Sequence, residues 1–275
     1  MTVLLPSFVF EVVTAAEMTR RRTKFVQRMS SGYQGPVIVA EGDSWFCYPR
    51  DSVWVPDTAP LDVVAQLSDE FAVSGVAKPG DTAQTMVDFF DPFVTQDIQT
   101  WSANILLLSA GGNDLLGEGR LAAYLRGGDR PLSQYLKPEF FGLLEDVLMR
   151  LERMVRAARQ AKSDIKVVLH GYDVARASGN GPWLKAPMDR LGIPPSKHQG
   201  IIKRIVDSFY SRLTAVADEL DAELAGRRGE ITVLDLRGVV RPTQWYDELH
   251  PNTAGFSRVR DRFRERILAL HPIIV

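Results

Sequence analysis

The chain has 275 residues, 45% apolar and 24% charged, which excludes global disorder and leaves material for a sizeable core. Thirty-three Lys and Arg against 34 Asp and Glu give a net charge of −1, which argues against a strongly electropositive nucleic-acid binder. The single cysteine, Cys47, excludes an internal disulfide framework and a cysteine zinc site, and four histidines leave little room for a dinuclear metal centre.

The N-terminal stretch Thr2–Ala16 is apolar in places, but no basic region precedes it and Glu11 interrupts it, so it reads poorly as a signal peptide. No apolar run reaches the ~18 residues of a membrane span. A cytoplasmic protein without a transmembrane segment is the expectation. Residues 1–35 read as an N-terminal helical extension, with Arg20–Arg21–Arg22 on its solvated face.

Five short apolar runs follow, each ending in turn chemistry. They are Val37–Ala40, the weaker Ala72–Val76, Asn104–Ser109, Ile165–His170 and Ile231–Leu236. Continuously apolar runs of this length suit strands buried on both faces. Between and after them lie helical periods: Phe140, Leu144, Val147, Leu151, Met154 and Ala158; Ile202, Val206, Phe209, Leu213, Val216, Leu220 and Leu224; and Phe256, Val259, Phe263, Ile267 and Leu270. Strands alternating with such helices predict a three-layer α/β/α sandwich in one domain, 1–275. Two stretches, Tyr48–Pro60 and Gly171–Gly200, show no regular period. Loops of that length are usually functional, so 171–200 is read as a possible substrate loop.

Ligands in such sheets gather at the carboxyl ends of the strands. Four polar blocks stand at or after those ends: Gly42–Asp43–Ser44–Trp45, Lys78–Pro79–Gly80–Asp81–Thr82, Gly111–Gly112–Asn113–Asp114 and Asp247–Glu248–Leu249–His250. A serine hydroxyl needs an adjacent base to act as nucleophile, and His250 is the candidate. Asp247, three residues earlier, is suited to orient the imidazole and stabilise its charged form. The backbone N–H groups of Ser44 and Gly80 and the side-chain amide of Asn113 are candidate donors to an oxyanion. Each block alone is ordinary turn or cap chemistry; their meeting at one sheet edge is the stronger signal.

These four blocks resemble, in order and spacing, those of the SGNH (GDSL-type) serine hydrolases, over about residues 36–270. The resemblance implies a flavodoxin-like sandwich with a five-stranded parallel sheet. It also implies Ser44 as nucleophile, His250 as base, Asp247 as its acid, and Ser44, Gly80 and Asn113 as the oxyanion hole, with no cofactor and no metal. Trp45 stands where many members carry Leu, and Lys78–Pro79 occupy the approach to Gly80, where the family often has Asn. The expected partner is a small-molecule, lipid or sugar ester. The expected activity is carboxylic ester hydrolysis, with acyl transfer, carbohydrate deacetylation or silent ligand binding on the same fold as alternatives. Oligomeric state is not legible.

The remaining candidates are weighed on chemistry. Asp43 and Asp114 read as acceptors for loop backbone, Cys47 as a small buried apolar residue, and His198 and His271 as surface residues. Trp45, His170, Trp183 and Trp245 are candidate substrate contacts; for His170 a satisfied structural role is the equal alternative. A metallophosphoesterase would need an Asn-His pair that the chain lacks. An α/β-hydrolase needs Gly-x-Ser-x-Gly, and nucleotide binding needs a glycine-rich phosphate loop; neither is present.

Overall fold

Ile105, Leu106, Leu107 and Leu108 are fully buried, which demands a strand covered on both faces. In the computed structural model they form the middle strand of a five-stranded sheet. The structure describes residues 7–49, 59–117, 119–178, 181–224 and 230–271; most of Tyr48–Pro60, Trp54 included, lies outside the described residues.

In chain order the first elements are α1 (Ser7–Ser30), β1 (Val37–Gly42), α2 (Val63–Leu67), β2 (Ala72–Gly75), α3 (Ala83–Phe89), a π-helical turn (Phe90–Thr95) and α4 (Gln96–Thr100). Next come β3 (Ile105–Ser109), α5 (Gly112–Leu115), α6 (Leu121–Tyr124), α7 (Pro138–Ala161) and β4 (Lys166–His170). The last are α8 (Lys185–Arg190), α9 (Pro195–Leu224), β5 (Ile231–Leu234) and α10 (Thr253–Leu270). All strands are parallel, in the order β2-β1-β3-β4-β5. The predicted three-layer α/β/α sandwich with a five-stranded parallel sheet is therefore the observed fold.

The chain leaves β1 for β2 on one side and then returns past β1 to β3 on the other. The winding reverses between β1 and β3, and a crevice opens outside the carboxyl ends of strands at such a reversal. Ser44 follows β1 and Gly111–Asn113 follow β3, so both flank that crevice. The helices hold their places by the predicted stripes. Phe140, Leu144, Val147, Leu151, Met154 and Ala158 of α7 are all buried, and Pro138 opens the helix, where its missing N–H costs nothing. Asn252 caps α10 by accepting from Gly255 N at 3.0 Å, which fixes the chain two residues after His250. Among the described residues, no helix is long and apolar enough to cross a membrane.

Tertiary packing corrects four expectations. The stretch 171–200 is not without regular structure: α8 lies inside it and α9 begins at Pro195. Pro195 opens α9 and Pro187 sits in the first turn of α8, where a missing N–H costs nothing. His198, expected on the surface, is buried in α9, where its Nε2–H donates to Ile193 O at 3.0 Å. Arg21 is not on a solvated face; it is 6% exposed and pairs with Glu17 at 2.6 Å and with Asp62. A buried guanidinium persists only when paired in this way. Leu236 leaves the predicted end of β5 because Tyr210 Oη accepts its N–H at 2.7 Å.

Candidate active site

The turn after β1 is built by Asp43. Its carbonyl accepts from Phe46 N at 3.0 Å and Cys47 N at 2.9 Å, closing a helical turn with Ser44 at its head. Its buried carboxylate accepts from Trp45 N at 3.0 Å and Ser109 Oγ at 3.1 Å through Oδ1, and from Tyr172 Oη at 2.6 Å through Oδ2. Burial nevertheless dominates and pushes the Asp43 carboxyl up to about 6. Asp43 thus ties the ends of β1, β3 and β4 beneath Ser44.

The second half of the site comes from the loop between β5 and α10. Asp247 Oδ1 accepts the backbone N–H groups of Leu249 and His250, each at 2.8 Å, so the carboxylate shapes the loop that carries the imidazole. His250 Nδ1 lies 2.9 Å from both Asp247 oxygens, and His250 Nε2 lies 2.7 Å from Ser44 Oγ. Burial works to raise the Asp247 carboxyl, but the adjacent imidazole and these hydrogen bonds outweigh it and hold it below the usual value. Residues 206 apart in sequence meet here.

Gly80 stands at φ +83°, a conformation that an L side chain adopts only with strain. Asn113 Nδ2 donates to Asp81 O at 2.9 Å, which pins the Gly80–Asp81 turn to α5. One amide hydrogen of Asn113 remains, and Asn113 lines the cleft beside Ser44 and His250. Among the described residues, the backbone N–H groups of Ser44 and Gly80 donate to no protein acceptor. Asp114, in the same block, accepts from Ala83 N at 2.9 Å and so holds the start of α3.

The cleft offers about 350 Å³ of space, counting the solvent at its open mouth. Trp45, Leu116, Tyr172, Ala175 and Leu249 make it largely apolar. Trp45 lines it with its ring fixed by a 3.1 Å bond from Nε1 to Leu249 O. Trp183 is not among the lining side chains but meets one that is, the His250 ring, edge-on with centroids 6.3 Å apart. Trp245 packs against Trp45 at 6.5 Å rather than lining the cleft. His170 does not reach the cleft either. It is 1% exposed, enclosed by Trp45, Phe46, Tyr172 and Phe263. Its Nδ1 accepts from Tyr172 N at 3.2 Å, and burial holds its pKa down to about 3, so the imidazole is neutral. Cys47 is buried, and burial pushes its thiol up to about 12, which leaves no thiolate at neutral pH.

Sequence reasoning missed Tyr172, Asp173 and Glu248. Tyr172 has φ +67°, rare for a residue with a side chain, and nothing in its type announced this. Asp173 lines the cleft and accepts from Gly238 N and Val240 N at 2.7 Å, fastening the loop after β5. Glu248 was legible only as one of the two residues between Asp247 and His250. Among the described residues, no group of three or more His, Cys, Asp or Glu is placed to hold a metal ion.

The GDSL-like lipase/acylhydrolase family model matches residues 40–258, a span that contains all four polar blocks. No curated protein matches the chain. Among solved structures, a lipase from a goat rumen metagenome superposes with a TM-score of 0.56 at 14% identity, over 84% of this chain and 97% of that one. A GDSL-like lipase from Bacteroides thetaiotaomicron gives 0.51 at 15% identity, over 92% and 98%. An extracellular lipase from Streptomyces rimosus gives 0.51 at 12% identity, over 84% and 99%. At such identities the structural likeness speaks for the fold alone.

Proposed function

Because this chain belongs to the GDSL-like lipase/acylhydrolase family, we propose that it hydrolyses carboxylic esters through an acyl-enzyme on Ser44. The observation that carries the reading is the continuous line from Ser44 Oγ to His250 Nε2, 2.7 Å, and from His250 Nδ1 to Asp247, 2.9 Å. Nucleophile, base and orienting acid stand at hydrogen-bond distance in that order.

In this reading Ser44 Oγ attacks the ester carbonyl carbon while His250 Nε2 takes its proton. The carbonyl oxygen becomes an oxyanion facing the Ser44 and Gly80 N–H groups and the Asn113 amide. The C–O bond to the alcohol breaks, and the imidazolium returns its proton to the departing alkoxide. Water then enters, loses a proton to His250 and attacks the acyl-serine; the acid leaves and Ser44 Oγ recovers its hydrogen. Asp247 stays ionised beside the imidazolium throughout, in keeping with its lowered pKa. The apolar walls of the cleft suit the hydrocarbon part of an ester.

The test is covalent. A fluorophosphonate should add one phosphonyl group to Ser44, located by peptide mass spectrometry, and Ser44→Ala should abolish both labelling and p-nitrophenyl ester turnover, with a loss of ~10⁴-fold or more. Labelling elsewhere, or turnover retained in Ser44→Ala, would remove Ser44 from the reaction.

A further inference from the structure

Glu248 lies between the proposed acid and base of the site, yet its side chain points away from both, into the segment 181–190. It is 2% exposed. Its Oε2 accepts from Trp183 N and Leu184 N, each at 2.9 Å, and its Oε1 from Lys185 N at 2.8 Å. Its backbone carbonyl accepts from Arg176 N at 2.9 Å. One residue therefore holds the long segment after β4 at two points.

The three amides run into the start of α8: Trp183 precedes its cap residue, Leu184 is the cap and Lys185 is the first helical residue, and the cap residue makes no side-chain bond of its own. A buried carboxylate needs several donors, and a buried helix start needs an acceptor; each supplies the other. Among the described residues no Lys or Arg pairs with Glu248, so these amides are what meets its charge. Gly181 is a second, independent sign of the fit. A Cβ there would stand 1.8 Å from Glu248 Cδ, so only glycine lets the chain pass over the carboxylate. The segment so held carries Trp183, whose ring meets the His250 ring edge-on at 6.3 Å and an interplanar angle of 87°.

We propose that Glu248 is a positioning residue that docks the segment 181–190 onto the loop carrying Asp247 and His250, so that Trp183 stands as a fixed wall for the part of the substrate beyond its carbonyl. The proposal rests on the ester-hydrolase reading for its kinetic consequence, but not for its structural one. The wall is rigid because the amides are saturated by a carboxylate attached to the same loop as the imidazole. Wall and base therefore keep their spacing.

Glu248→Gln keeps one acceptor oxygen and turns an NH₂ group toward a backbone N–H. Hydrogen exchange at the amides of residues 183–185 should accelerate by about tenfold or more, while the amides of β3 stay protected. Unchanged exchange at 183–185 would overturn the docking role whatever the enzyme's activity. With p-nitrophenyl butyrate, Trp183→Ala should raise KM about fivefold, which is ~1 kcal/mol, with kcat changed less than about threefold. Glu248→Gln should do the same, and the double variant should be no worse than Trp183→Ala alone, because both act through one ring. Effects on KM that multiply in the double variant, or an unchanged KM in Trp183→Ala, would overturn the wall. Trp183→Ala leaves the three amide bonds in place, so it decides the point even if Glu248→Gln does not fold. Turnover retained in Ser44→Ala, measured in parallel, would instead strike the hydrolase reading and leave the exchange result standing.

Discussion

The hydroxyl of Tyr172 donates to Asp43 Oδ2 at 2.6 Å and so ties the end of β4 to the residue that precedes Ser44. Tyr172 makes this reach from a left-handed backbone, φ +67°, and its carbonyl is held in turn by Tyr210 Oη at 2.9 Å. Backbone strain of that kind persists only where the surroundings over-determine it. Here they hold Asp43, whose carbonyl closes the turn that carries Ser44.

Tyr172→Phe should therefore cost stability. It leaves a buried carboxylate oxygen without its donor, a loss of about 1.5–3 kcal/mol for a hydrogen bond to a charged group. Melting followed by calorimetry at neutral pH should show a Tm drop of roughly 3–10 °C. A shift under one degree would mean that the bond contributes nothing net.

Asp43 also gives stability a pH signature. Burial raises its carboxyl to about 6 in the folded state, above the ~3.9 of an unfolded chain. Between about pH 4 and 6 the folded protein holds a proton there that the unfolded chain has released, so this group's contribution falls as pH rises through that window, by an amount on the order of 2–3 kcal/mol. Asp43→Asn has no such titration. Relative to the wild type, its Tm should improve from pH 4 to pH 7, whatever its constant offset. A Tm difference independent of pH would contradict the raised carboxyl.

Asp247→Asn tests the orienting acid. The amide cannot keep the imidazole in the required tautomer, nor offset its charge, so kcat on p-nitrophenyl esters should fall by about 10⁴-fold with little change in KM. A loss smaller than about tenfold would show that His250 needs no carboxylate.

Asn113→Ala should lower kcat by about 10²-fold or more if its amide donates to the developing charge as proposed. It also frees Asp81 O, whose bond to Asn113 holds the Gly80 turn. Asn113→Asp sharpens the test: its carboxylate donates neither to the oxyanion nor to Asp81 O and sets a like charge beside the oxyanion, so its kcat should fall at least as far as that of Asn113→Ala, with KM moving less. An unchanged kcat in either would take Asn113 out of the oxyanion hole.

Much of this molecule is legible in the order of its residues. Runs such as Val37–Ala40 and Ile105–Leu108 have no polar side to show solvent, so they announce strands buried on both faces, and the periods between them announce covering helices. Ser44 and Asn113 are legible as candidates because their blocks begin where such runs stop, and His250 because its block lies between the last run and the last helical period. What the sequence could not disclose are relationships set by contact at a distance. The polarity of His170 suggested the cleft, but its place on β4 put it beneath Trp45, where neutral imidazole is packing material. Arg21 looked solvated until Asp62 and Glu17 offered it a buried pair. Glu248 looked like spacing between two functional residues, and only the return of the chain at Gly181–Lys185 gave its carboxylate three amides. Periodicity is written locally because burial of a face is a local demand. The partner of a charge or a buried hydrogen-bonding group is chosen by whichever distant segment the packed sheet brings to it.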